Sequence, residues 1–110
     1  MLVNRLVEDT GETAACSAVS LLEVWAGSTP SEVGRTAAFF DTLDVMPVTG
    51  AIAKHAAELL KTHRRTRDSR EWIDAIIAAT ALGHRLTLVT YNQRDYPYHE
   101  LMLYPLMPAD

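Results

Sequence analysis

"WIDAIIAATALGHRLTLVTYNQRD", residues 72–95, is the stretch that decides the fold. Its first eleven residues are nearly all apolar and alanine-rich, yet they include a carboxylate, Asp74. Asp68 and Glu71 precede it as capping candidates, and Gly83 follows as a stop, so the pattern predicts a helix over 72–83. "RLTLVT", residues 85–90, is apolar without clean alternation, as expected of a strand covered by helices on both faces. A buried helix feeding a buried strand is half of a parallel α/β unit. An isolated ionised carboxylate in apolar surroundings is costly unless it is paired or holds a metal, so Asp74 needs a reason to be there.

Upstream, "TGAIAKHAAELLKTHRR" (49–65) is amphipathic, with Ile52, Ala56, Leu59, Leu60 and His63 on or near one face. "DVMPVT" (44–49) reads as a short strand whose proline places it at an edge. In "TPSEVGRTAAFFDTL" (29–43), Thr29 serves as N-cap, Pro30 as first helical residue and Glu32 as its reciprocal partner. Val33, Ala37, Phe39, Phe40 and Leu43 are its core candidates. Ser20 and Glu23 form another capping-box pattern, so a helix is expected from about Ser20, after an apolar strand in "TAACSAV" (13–19). "LVNRLVEDTGE" (2–12) reads as the tail of a helix stopping near Gly11, and "MLYP" (102–105) as a last edge strand.

Strands alternating with helices over 110 residues predict one α/β domain, residues 1–110, with a largely parallel sheet. Net charge is −4, which argues against a broad nucleic-acid coat but leaves room for a local basic strip. Cys16 is the single cysteine, which excludes an intrachain disulfide and suits a reducing cytoplasm. No apolar run reaches the roughly 20 residues of a membrane span, and the opening residues lack the pattern of a signal peptide. Cys16 reads as a small buried hydrophobe, and Trp25 and Trp72 as core or dimer interface.

In parallel sheets, ligands bind beyond the carboxyl ends of the strands. Glu23 follows the strand before Ser20, and Thr90, Asn92 and Asp95 follow the strand ending at Thr90. Asp74 joins them if its helix starts at that edge. Gathered carboxylates repel one another unless a cation sits among them, and all-oxygen donors suit a hard divalent ion. Plainer readings stand beside this one. Glu23 fits a capping box, Asp74 a first-turn helix charge, Asp95 and Asn92 turn formers. The strip Arg64, Arg65, Arg67 and Arg70 fits either a solvated helix end or a contact for RNA phosphates.

"IDAIIAATALGHRLTLVTYNQRDY" resembles the C-terminal signature of PIN-domain nucleases, especially the VapC-type toxins of type II toxin–antitoxin pairs. Asp74, Thr90, Asn92, Asp95 and Tyr96 carry the likeness, and "SAVSLLEVWAG", with Glu23, is similar to the family's strand–helix junction. The resemblance implies a PIN-like three-layer α/β/α fold. It implies a Mg²⁺- or Mn²⁺-dependent ribonuclease silenced by a cognate antitoxin, commonly a homodimer. Asp74 and Asp95 would then be principal metal ligands, with Glu23 a ligand or a water-positioning group. Thr90 and Asn92 would support these ligands or contact the scissile phosphate.

The family opens on a central strand bearing an aspartate. This chain has no counterpart to it, since Asp9 lies in the wrong context, so the first central strand is expected to be missing. Its neighbours would then carry unpaired backbone groups, each costing about 1–3 kcal/mol when buried, within a total domain stability of about 5–15 kcal/mol. Rearrangement, a borrowed strand, or a start inside a longer gene would each resolve this, and a truncated start is the favoured expectation. With three of four acids, weakened metal binding and little activity are expected. The alternative function is a non-catalytic PIN remnant that binds an antitoxin or itself.

Overall fold

The computed structural model describes residues 5–7, 14–63, 70–90 and 93–105. Five strands form one sheet: β1 (Arg5–Val7), β2 (Ala14–Ser17), β3 (Asp44–Met46), β4 (Thr87–Thr90) and β5 (Leu103–Pro105), in the order β3-β2-β1-β4-β5. The described helices are α1 (Ala18–Ala26), α2 (Val33–Phe40), α3 (Gly50–His63) and α4 (Arg70–Gly83), with a 3₁₀ turn at Gln93–Asp95. The three-layer α/β expectation stands. None of these helices is long and apolar enough to cross a membrane.

β2 pairs parallel with β3, and β4 parallel with β5. β1 lies between β2 and β4, antiparallel to both, with Leu6 opposite Ala15 on one side and Leu88 on the other. Two expectations are corrected here. Arg5–Val7 is a strand and not the tail of a helix, and the centre of the sheet is filled. The physical reason is the backbone: β2 and β4 each present a row of donors and acceptors to the interior, and any strand that pairs with both rows removes their cost. Because β1 is antiparallel to both neighbours, β2, β3, β4 and β5 all run the same way. Their carboxyl ends therefore share one edge, as the placement of a site requires.

Successive side chains on a strand point to opposite faces, and β2 shows the consequence. Ala15 belongs to the larger core, built from Ile52, Ala56 and Leu59 of α3, the small residues of α4, Leu88, Tyr96, Tyr98 and Leu101. Cys16 turns the other way, onto Phe40 with Leu21, Val24, Phe39 and Leu43 beneath α1 and α2. In α4, Ala75, Ile77, Ala78, Ala79, Thr80 and Ala81 are all buried, so the helix touches neighbours almost all round. Alanine is what permits that close approach. A Cβ added at Gly83 would come within 3.0 Å of Ile52 Cδ1, so the end of α4 packs on the start of α3.

The helix starts are partly as read. Thr49 Oγ1 accepts from Ile52 N–H at the head of α3. Thr29 N–H donates to Glu32 Oε1 at 2.9 Å, the predicted reciprocal bond, although the regular helix begins only at Val33. Val33 itself is 42% exposed, outside the core assigned to it; Thr36 and Phe40 take the buried face. α1 starts earlier than expected, with Ser17 as N-cap accepting from Val19 N–H at 3.2 Å. Ser20 therefore lies inside the helix and Glu23 is no capping-box partner. At the end of α4 the left-handed residue is Arg85 (φ 56°), two beyond Gly83. It lets Leu86 N–H bond back to Ala81 C=O at 2.8 Å.

Candidate active site

Three carboxylates come to the carboxyl edge of the sheet by three routes. Glu23 rides on α1, which begins where β2 ends. Asp95 closes the 3₁₀ turn after β4. Asp74 sits near the start of α4, half-buried, while Glu23 and Asp95 are exposed. Burial pushes the Asp74 carboxyl up to about 7, and the negative charges of Asp95 and then Glu23 push in the same direction. Arg70 and a hydrogen bond with Tyr96 act against the rise. Asp74 thus feels both of the other predicted acids, and the three share one electrostatic neighbourhood. Their oxygens are not drawn into a tight cage: among the described residues, no group of three or more His, Cys, Asp or Glu side chains is close enough to chelate an ion. Both observations follow from like charge, which spreads carboxylates that nothing neutralises.

The donor type suits a hard divalent cation: carboxylate oxygens at the ligand edge of the sheet, one of them on an acid raised first by burial and then by its neighbours' charge. The central strand, Arg-Leu-Val, adds no carboxylate to it. Thr90 ends β4 beside this edge, in register with Pro105 of β5. Asn92 lies outside the described residues, as do Arg64, Arg65 and Arg67. Arg70 is exposed on the first turn of α4 and acts on Asp74, a nearer role than the RNA-contact strip to which its sequence position assigned it.

Two features of the site were not read from the chain. Tyr96, 2% exposed, hydrogen-bonds Asp74, and burial together with the charges of Asp74, Asp95 and Glu23 disfavours its ionisation. In the sequence it entered as part of the family likeness, and its hydroxyl carried no signal of its own. Ser20, 3% exposed, has a buried Oγ without a hydrogen-bond partner among the described residues. Away from the site, Cys16 is fully buried with its thiol pushed up to about 11 by burial, as a packing residue should be. Trp25 and Trp72 are 42% and 55% exposed, so neither is core.

Residues 2–98 match the PIN domain. The chain belongs to the PIN-domain family. Among its PIN relatives, ribonuclease VapC19 of Mycobacterium tuberculosis is 33% identical over 97 residues, covering 88% of this chain and 77% of that protein. Ribonuclease VapC10 of the same organism is 31% identical over 91 residues, covering 83% and 68%. A solved toxin–antitoxin complex from Klebsiella pneumoniae shares the PIN architecture with a TM-score of 0.68 at 27% identity, covering 84% of this chain and 75% of that one. VapBC2 from Rickettsia felis, solved bound to a DNA fragment from its promoter, superposes with the same TM-score over 84% and 74% of the two chains. At 22% identity it speaks to the fold alone.

Proposed function

We propose that this PIN domain is a VapC-type endoribonuclease, the toxin of a toxin–antitoxin pair, using Mg²⁺ or Mn²⁺ held by Asp74, Asp95 and Glu23. What supports the reading is the match to the PIN domain and the VapC ribonuclease relatives, together with a half-buried Asp74 whose carboxyl is raised first by burial and then by the charges of Asp95 and Glu23. A bound divalent ion supplies Lewis acidity and a lowered pKa for an attacking water. The chain's own residues do the rest. Asp74 and Asp95 bind the ion from opposite elements, α4 and the turn after β4. Glu23, exposed on α1, would bind it directly or position the attacking water. Thr90, the last residue of β4, and Asn92, two positions on in the sequence, would support these acids or hold the scissile phosphate. Arg64, Arg65, Arg67 and Arg70 contact RNA phosphates. Asp74 would have to be ionised to hold the ion, and its raised carboxyl means that it is so only above about pH 7.

With three carboxylates and none from the central strand, this chain binds metal weakly and turns over slowly. A cytoplasmic antitoxin partner and a homodimer complete the proposal; exposed Leu22 and Trp25 on α1 and Trp72 on α4 offer apolar surface for such contacts. The second reading, a non-catalytic module that binds an antitoxin or itself, draws on the same lack of an acid on β1. Cleavage of structured RNA by the purified chain with Mn²⁺ separates them. The nuclease cleaves with Mn²⁺, stops on chelation with EDTA, and drops to background in Asp74→Asn. Equal cleavage by wild type and D74N removes Asp74 from the mechanism and leaves the second reading.

A further inference from the structure

Between Asp95 and β5 the chain makes a tight turn, residues 98–101, closed by Leu101 N–H donating to Tyr98 C=O at 3.2 Å. Its two ends, Tyr98 and Leu101, are buried in the larger core, while His99 and Glu100 at its tip are exposed. Pro97, just before it, has no N–H to give to a neighbour. A turn anchored by side chains opens more readily than a strand held in a ladder.

A side chain from another element lies on this turn. His63, the last residue of α3, sets its ring edge-on to Tyr98, with centroids 5.3 Å apart and planes at 79°, and to His99, at 5.7 Å and 74°. Its Nε2 also stands 3.9 Å from Glu100 Oε1. His63 thus reaches three of the four turn residues, and its own side chain is only 15% exposed. These contacts are not equal. Edge-to-face ring pairs at such separations hold beyond the area they bury. The Glu100 carboxylate is 56% exposed and at the outer reach of an ion pair, and exposed pairs hold little. The ring, and not the charge, does the fastening.

We propose that residues 98–101 form a strap over the end of α3 with His63 as its fastener, so that the chain from Asp95 to β5 opens as one unit when the His63 ring is lost. The strap governs how firmly the turn bearing Asp95 is anchored on its downstream side. It stands whether or not the nuclease reading does.

The test is hydrogen exchange read by mass spectrometry on the full chain, for wild type, His63→Ala, His63→Phe and Glu100→Gln. In H63A, exchange over residues 96–105 is expected to rise about tenfold while α1, β2 and β3 keep their protection. H63F, which keeps a ring, and E100Q, which removes the charge, are expected to stay within about twofold of wild type. Unchanged exchange in H63A overturns the proposal. So does a rise spread evenly over the whole chain, which marks a global loss of stability and no strap. H63F or E100Q exchanging as fast as H63A also overturns it, because the imidazole nitrogen or the charge would then do the holding.

Discussion

Asp74 carries a stability consequence whose sign can be worked out. Its carboxyl titrates near 7 in the folded protein against 3.8 for the free group. Between those values the native state holds a proton that the unfolded chain has released. Metal-free stability therefore falls as pH rises from about 4 to about 7, and levels off above. Solvent screens a half-buried group, so the loss is on the order of 1–2 kcal/mol, below the full linkage value. Urea unfolding in EDTA should show Asp74→Asn more stable than wild type at pH 8 and nearly equal to it at pH 4. Burial is the main source of this cost, with the charges of Asp95 and Glu23 adding to it and Arg70 opposing it. At Arg85 the left-handed backbone strains a side-chain-bearing residue without serving the site. Arg85→Gly should stabilise by about 0.5–1 kcal/mol, read as a higher melting temperature with unchanged Mn²⁺ affinity.

At the scale of elements, the two serines around the start of α1 distinguish the local pattern from the folded result. Ser20-x-x-Glu23 has the form of a capping box, but β2 carries the chain to Ser17 before the helix turns in. Strand pairing with β3 runs as far as Ser17, opposite Met46, and leaves Ser17 as the residue at the boundary. Its hydroxyl does the capping; that of Ser20 is left buried without a partner among the described residues. Ser17→Ala should cost about 1 kcal/mol by thermal or urea unfolding. Ser20→Ala should be neutral or slightly stabilising, because an unsatisfied buried hydroxyl is removed. The reverse ranking would restore the capping box. Helix faces fared better than helix ends. Ile52, Ala56 and Leu59 were legible from a period of 3.6 because only one side of α3 meets the core. Val33 opens the regular helix after the Thr29–Glu32 bond, and the inward face of that helix falls at Thr36 and Phe40 instead.

For the whole molecule the deciding element is β1. Three residues in the middle of the sheet satisfy the inner edges of both β2 and β4. A proline in β1 removes a donor that no flanking strand can replace. Leu6→Pro should therefore cost about 3 kcal/mol or more, a large share of the stability of a small domain. Far-UV circular dichroism and a urea titration check this; a variant with an unshifted midpoint would show that β1 does not hold the sheet together. With β1 antiparallel to both of its neighbours, the other four strands run the same way and their carboxyl ends share the edge near which Glu23, Asp74 and Asp95 lie.

The amino-acid sequence by itself determined the alternation of helices and strands, the edge positions of β3 and β5, and the buried faces of α3 and α4. Each is written in short-range patterns: capping residues three apart, and apolar residues three and four apart. From acids just beyond strand ends it allowed a site to be proposed. Only the tertiary structure decided that Arg5–Val7 is a central antiparallel strand and that Ser17 and not Ser20 caps α1. The central strand depends on partners 7 to more than 80 positions away, such as Val7 with Ala14 and Leu6 with Leu88, and the cap on where pairing with β3 ends, at Ser17 opposite Met46. A backbone edge or a buried hydroxyl takes whichever partner the fold brings to it, and no local pattern records that choice.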